Sequence, residues 1–268
     1  MFNISIVLYN PNWTQVINLC NEVLQSQCVR DVYLIDNSPT PISEIPIESK
    51  KLKYIFNGAN LGYGRAHNIA IRESVYYRTA FHLVMNADVL VKAEDLDYLH
   101  DFMKHNPQVG LVMPKVVYPD GRLQYLCKLL PTPLDVFGRR FLPQKWFAKR
   151  NRRYELRDSG YDKMMNVPYL SGCFMFMRTE AVLKARLFDE RYFMYPEDID
   201  LTRTIHRDYL TVFLPDVTIV HDHERGSYKS WRLLWIHIVN MCRYFNKWGW
   251  FIDKERRLMN QLTLEQFK

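Results

Sequence analysis

The chain opens on an almost unbroken apolar run, Ile4-Ser5-Ile6-Val7-Leu8-Tyr9, which predicts a short buried strand, and Asn10-Pro11-Asn12 marks the turn after it. Residues 14–27 follow with Val16, Leu19, Val23 and Leu24 at the spacing of one helical face. A second apolar run, Val32-Tyr33-Leu34-Ile35-Asp36, ends in Asn37-Ser38-Pro39. A third, Leu52–Phe56, precedes a glycine-rich stretch at 57–64. Residues 66–77 have helical spacing, and Phe81–Met85 is a fourth strand that closes at Asn86-Ala87-Asp88. Strands alternating with helices predict parallel βαβ units and an open α/β sheet. Ligands in such sheets bind beyond the carboxyl ends of the strands. Here those ends carry Tyr9-Asn10, Asp36-Asn37-Ser38 and Asn86/Asp88, a set that points to a nucleotide crevice.

The second half has a different texture. Val109–Val117 predicts a strand, with a turn at Tyr118-Pro119-Asp120-Gly121. Residues 131–163, rich in Pro, Arg, Lys and aromatics, are expected to form a long functional or mobile loop. Strand character resumes over 167–177 around Gly172, and 180–185 is a short helix. Pro196 opens a helix to about Arg207, and 211–220 is a strand, or a pair broken at Pro215. Residues 228–248 form an amphipathic helix with Trp231, Leu234, Trp235, Ile238, Met241, Cys242 and Phe245 on one face.

Composition narrows the class. With 268 residues, 48% of them apolar, the chain has material for a buried core, which excludes a disordered or collagen-like protein. The net charge of +7 is concentrated. Residues 139–153 hold seven Arg/Lys and no acid, and 225–268 hold nine Arg/Lys against three acids. Two basic annexes on a mildly acidic body suggest a polyanionic partner: phosphates, an anionic membrane face or nucleic acid. The five cysteines lack C-x-x-C spacing, which argues against a zinc site or disulfide framework and fits a reducing cytoplasm. No secretory leader is expected, and no apolar run reaches the ~18–20 residues of a membrane span. Four of the six tryptophans (Trp231, Trp235, Trp248, Trp250) crowd the last helical segment with Arg232, Arg243 and Lys247, a pattern suited to an interfacial anchor or to simple core packing.

Some residue patterns have bland readings of their own. Pro196 followed by Glu197, Asp198 and Asp200 is ordinary helix N-terminal chemistry. Asp36 before Pro39 suits a turn, Asp88 a helix cap, Arg65 a solvated helix start, and Asn68 a packing amide.

Taken in order, however, four stretches resemble bacterial glycosyltransferases of family 2. They are Tyr9-Asn10 with Asp36-Asn37-Ser38; Asn60-Leu61-Gly62-Tyr63-Gly64-Arg65-Ala66-His67-Asn68; Asn86-Ala87-Asp88 at the place of the family's D-x-D; and Phe188-Asp189-Glu190 with Phe193-Met194-Tyr195-Pro196-Glu197-Asp198-Ile199-Asp200-Leu201. The resemblance covers about residues 3–225 and is nearest to rhamnosyltransferase-like enzymes of O-antigen and capsule assembly. It implies a GT-A (Rossmann-like) α/β fold: a mostly parallel central sheet with flanking helices, to which the C-terminal amphipathic helices are added. The domain would span 1–225, with a nucleotide-sugar half (1–105) and an acceptor/catalytic half (106–225); 226–268 would be the helical segment.

The same resemblance implies inverting transfer from a nucleotide-sugar donor with Mg²⁺ or Mn²⁺. Asp198 would be the general base and Glu197 its helper toward the acceptor. Asp88 would hold the metal, with His221 favoured over His223 as a second ligand. Tyr9, Asn10, Asp36, Asn37, Asn86, Ala87 and Gly172 would line the donor site. Gly62 and Gly64 would admit the donor to the backbone, Arg65 would meet the diphosphate, and Asn68 would belong to the same nucleotide-sugar-binding set. The helix dipole and metal would depress the Asp198 pKa. One departure stands out: Asn86 replaces the first acid of D-x-D and brings no charge. The expected reaction moves a sugar, from dTDP-rhamnose or alternatively a UDP-hexose, to a lipid-diphosphate-linked saccharide. It would take place at the cytoplasmic face of the plasma membrane, with peripheral membrane contact and no nucleic acid. Rival readings are a nucleic-acid-binding α/β protein and an inactive scaffold of the same fold.

Overall fold

The computed structural model describes residues 1–138, 144–222 and 231–268. Arg139, Arg140 and Phe141 of the first basic annex, His223, and the first residues of the expected 228–248 helix lie outside the described residues. The first half runs β1 (Phe2–Leu8), α1 (Trp13–Val23), β2 (Val29–Asp36), β3 (Leu52–Phe56), α2 (Tyr63–Tyr76), β4 (Phe81–Met85), β5 (Val89–Leu90) and α3 (Ala93–His105). Then come β6 (Val109–Val117), β7 (Cys127–Lys128), α4 (Gln144–Tyr154), β8 (Met165–Asn166), β9 (Tyr169–Leu170) and β10 (Phe174–Arg178). The chain continues with α5 (Thr179–Lys184), α6 (Glu197–Ile205), β11 (Leu210–His221), α7 (Trp231–Trp248) and α8 (Lys254–Glu265).

The main sheet has the order β3-β2-β1-β4-β10-β6-β11-β5, with β8 also pairing β11. Pairs β1–β2, β1–β4, β2–β3 and β6–β11 are parallel, while β10 runs antiparallel between β4 and β6. Period-two alternation assigns its faces. Phe174 and Phe176 of β10 belong to the buried cluster that holds Leu19 and Val23 of α1 and Leu96 and Leu99 of α3, whereas Met175 and Met177 belong to the one that holds Ile71 of α2 and Val182 of α5. The result is three layers, as an α/β sheet buried on both faces requires.

Several expectations are refined. The stretch 131–163 is not one long loop: α4 forms within it, with Phe147 and Tyr154 buried while its Lys and Arg side chains stay in solvent. Its polar majority hid the two apolar anchors. Residues 211–220 belong to one strand, and Pro215 sits where the β11–β6 register shifts between Leu214 and Thr218, so its missing N–H costs the ladder nothing. The single strand expected over 167–177 is two, β9 and β10, separated by the turn around Gly172. Helix α7 is buried only in its second half, at Asn240, Met241, Tyr244 and Phe245, whereas Trp231 and Trp235 are exposed. Among the described residues, no helix is long and apolar enough to cross a membrane.

The C-terminal helices grip the body through α6. Arg203, 1% exposed, forms two parallel hydrogen bonds of 2.8 Å to Asp253, adds one of 2.7 Å to Glu255, and stacks 4.0 Å from the Trp248 ring. Asp200 accepts from Trp248 Nε1 at 2.6 Å and from Lys247 at 2.8 Å. Removing one partner of such a buried pair strands the other charge. Arg203→Met is therefore expected to lose about 3–5 kcal/mol, to be measured by urea unfolding; an unchanged midpoint would refute this role for the clamp.

Candidate active site

The carboxyl ends of β1, β2 and β4 open onto a cavity of about 510 Å³. Tyr9, Asn10, Asn37, Gly62, Asn86, Ala87 and Asp88 line it together with Asn60, Tyr63 and Met194. Two antiparallel pairings complete its rim. Because β10 runs against β4, its amino end meets the carboxyl end of β4, and the Asn86 N–H donates to the Cys173 carbonyl at 2.9 Å. Because β5 pairs with the end of β11, Val89 lies opposite His221. His221 Nε2 is then 3.3 Å from Asp88 Oδ1.

His221 is almost fully buried, and its Nδ1 donates to Gln124 Oε1 at 3.1 Å, which aims Nε2 at Asp88. Burial disfavours its charged form, yet the Asp88 carboxylate and the Cys173 side chain outweigh burial and push its pKa up to about 10. Asp88 remains partly open to the cavity. One carboxylate and one oriented imidazole at the mouth of a polar cavity suit a divalent cation that displaces the Nε2 proton and takes its other ligands from phosphate oxygens and water. Among the described residues, no three His, Cys, Asp or Glu side chains converge to hold a metal by themselves. Asn86 joins this set without a charge of its own, with Nδ2 3.4 Å from His221 Nε2 and Oδ1 3.0 Å from the Tyr63 hydroxyl.

Opposite lies the amino end of α6. Asp198 Oδ2 accepts from the Gly172 N–H at 3.0 Å and Oδ1 from the Ile199 N–H at 2.8 Å. Desolvation raises its pKa despite those donors and the charge of Lys128. The expected depression is thus reversed: burial exceeds the helix dipole, and Asp198 is a stronger base than its place at a helix start suggests. Glu197, 5% exposed, keeps Oε2 buried without a hydrogen-bond partner among the described residues. Burial, with Asp198 alongside, lifts its pKa to about 8.

Other motif residues serve the scaffold. Gly62 has φ +84°, and a Cβ there would collide with the Phe193 carbonyl, to which Tyr63 N–H donates at 2.9 Å. Its glycine thus answers to the 193 segment as well as to the cavity. A Cβ at Gly64 would come 2.8 Å from Phe188 Cβ, so that glycine seats α2 against Phe188 and does not line the cavity. The Asn68 amide clasps the backbone of Phe188 in both directions, at 2.9 and 3.1 Å. Arg65 lies 3.6 Å from Glu190 at the surface, away from the cavity lining. Asp36 is fully buried, accepting from the Ser38 N–H at 2.8 Å and the Tyr54 hydroxyl at 2.7 Å; it braces the strand end rather than lining the cavity. Tyr63 and Gln124 were not singled out from the sequence. Tyr63 stood inside the motif, but nothing marked Gln124, which lies 97 residues from His221.

Residues 4–184 match the family described as Glycosyl transferase family 2. A curated relative from Mycobacterium tuberculosis, N-acetylglucosaminyl-diphospho-decaprenol L-rhamnosyltransferase, is 30% identical over 178 residues, which is 61% of this chain and 56% of the relative. The chain thus spans about half the length of the curated relatives it matches. Among solved structures, GalNAc-T7 with UDP, GalNAc and Mn²⁺ superposes with a TM-score of 0.59 at 13% identity, over 82% of this chain and 43% of that one. The mannosyltransferase PcManGT from Pyrobaculum calidifontis, in complex with GDP-Man and Mn²⁺, gives 0.56 at 16% identity over 90% and 64%. S. aureus TarS in complex with UDP-GlcNAc gives 0.58 at 14% identity over 86% and 61%. These likenesses identify the fold as GT-A.

The Glu197 environment sets a pH dependence. A carboxyl whose pKa rises on folding holds its proton more tightly in the native state. Its contribution is therefore complete below the ordinary value of 4.5 and is lost as pH rises through about 8. Between those limits the melting temperature of the wild type should fall by several degrees relative to Glu197→Gln, which carries no such charge. Parallel Tm–pH curves would contradict the assignment.

Proposed function

Since the chain belongs to glycosyl transferase family 2, we propose that it is an inverting glycosyltransferase that moves a sugar from a nucleoside diphosphate to a lipid-diphosphate-linked saccharide. The observation that carries this reading is the meeting of two unlike carboxylate settings around Tyr63: the open Asp88–His221 pair on one side and the buried Glu197–Asp198 pair on the other. The Tyr63 hydroxyl contacts both Asn86 and Gly172, and the carboxyl groups of Asp88, Glu197 and Asp198 all lie within electrostatic reach of it.

Each side suits one half of the reaction. Asp88 and His221 would hold Mg²⁺ or Mn²⁺ with the donor diphosphate, and the ion would neutralise charge on the leaving group. Tyr9, Asn10 and Asn37 at the strand ends would bind the nucleotide, which Asp36 supports from behind. Asp198 accepts the proton of the acceptor hydroxyl as that oxygen attacks the far face of the anomeric carbon. Glu197, held neutral by burial, can donate a hydrogen bond that orients the acceptor.

The rhamnosyltransferase relative favours L-rhamnose as the sugar and a diphosphate-linked N-acetylglucosamine as acceptor, and the reading takes dTDP-rhamnose as the donor. The reading places the enzyme in surface-polysaccharide assembly, at the cytoplasmic face of the plasma membrane. The bared half of α7, with Trp231 87% and Trp235 67% exposed, provides an interfacial surface for a substrate that sits in lipid. A UDP-hexose is the alternative donor.

Transfer from a panel of dTDP- and UDP-sugars to a polyprenyl-diphosphate N-acetylglucosamine tests the reaction. Asp198→Asn is expected to lower kcat about 10²–10⁴-fold while still binding nucleotide. Full activity of that variant would remove Asp198 as the base. Asp88→Asn should weaken Mn²⁺-dependent binding of the nucleoside diphosphate in calorimetry. Replacing Trp231 and Trp235 together with Ser should reduce sedimentation with anionic vesicles and leave transfer to a water-soluble acceptor unchanged. Equal sedimentation would place membrane contact elsewhere.

A further inference from the structure

Tyr63 stands where the two sides of the site meet, and its surroundings fix it unusually well. Its backbone N–H is held by Phe193 O at 2.9 Å, three residues before Pro196 opens α6. Its ring meets the His67 ring edge-on at 4.4 Å. His67 in turn is pinned in the core: its Nδ1 lies 2.7 Å from Ser5 Oγ, which also meets His82 Nε2 at 2.9 Å, while His82 Nδ1 reaches Ser74 Oγ at 2.7 Å. Burial keeps both histidines neutral, with the His82 pKa pushed down to about 3. This network ties β1, β4 and α2 together behind Tyr63 and carries no charge that could serve catalysis.

From that base the phenol reaches across the site. Its hydroxyl donates to the Gly172 carbonyl at 2.6 Å and touches Asn86 Oδ1 at 3.0 Å. Gly172 lies between Tyr63 and the base. A Cβ added there would be 3.1 Å from Asp198 Cβ and 3.6 Å from Tyr63 Cε1, and the Gly172 N–H holds Asp198 Oδ2 at 3.0 Å.

We propose that Tyr63 is a positioning residue for the general base: its hydroxyl fixes Gly172, and Gly172 fixes the Asp198 carboxylate relative to the donor held on the Asn86 side. This rests on the reading of Asp198 as the base. Tyr63 forms no bond to substrate in this role. It sets the register between the part of the site built on β4 and the part built on α6, two elements more than 100 residues apart in sequence.

The test is a double-mutant cycle in the transfer assay with dTDP-rhamnose and polyprenyl-diphosphate N-acetylglucosamine. Tyr63→Phe keeps the ring and removes only the hydroxyl. It is expected to lower kcat about 10–100-fold, the cost of a misplaced catalytic group, with the donor KM changed by less than about threefold. In the Asp198→Asn background the same change should cost about twofold or less, because groups acting as one unit are not additive. A loss of equal size in both backgrounds, or a loss confined to donor KM, would overturn the proposal. Gly172→Ala, which leaves Tyr63 intact but crowds Asp198 directly, should show the same kcat loss and the same non-additivity; full activity would count against it. A wild-type protein that transfers no sugar from any donor would instead fail the functional reading itself.

Discussion

The site depends on keeping two carboxylates dry at one helix end. Glu197 and Asp198 sit at the start of α6, and both would gain by moving into water. They stay buried because α6 is held at two other points. Arg203 anchors the helix to Asp253 and Glu255, and Asp200 is caught by Lys247 and Trp248. The acids of the E-D-x-D run therefore divide: the first two stay buried on the Gly172 side, and the last faces the C-terminal helices. That division explains why the terminal helices pack onto the sheet body although they follow its last strand.

The opposite side is built by strand direction. A purely parallel sheet would have left the polar strand ends with loops on only one side. The antiparallel β10 brings Gly172 and Cys173 back against Asn86, and the antiparallel β5 turns Asp88 toward His221. Asn86 brings no charge to this side. Its amide bridges Tyr63 and His221, while charge at the mouth of the cavity comes from Asp88 and the imidazole.

Much of the glycine and asparagine pattern that resembles a ligand-binding loop answers to packing. Gly64 and Asn68 both address the segment around Phe188, which leads to α6, and Gly62 lies under Phe193 on the same segment. These residues serve the site at one remove, since they seat the connection that delivers Glu197 and Asp198. A motif so built has a fixed residue pattern for steric reasons even where no atom of it touches a ligand.

The alternation of apolar strands with helical spacings was enough to specify an α/β sheet, because side-chain period and burial are local properties of the chain. So was the row of polar strand ends at Tyr9-Asn10, Asp36-Asn37 and Asn86/Asp88, since parallel strands place their ends on one edge. What the linear order could not determine was anything that rests on long-range pairing. The partnership of Asp88 with His221, the division of roles among Glu197, Asp198 and Asp200, and the reach of Tyr63 to Gly172 all follow from which strands became neighbours. The direction of the Asp198 pKa belongs here too. A helix start lowers it and burial raises it, and only the folded packing around Gly172 determines that burial is the larger.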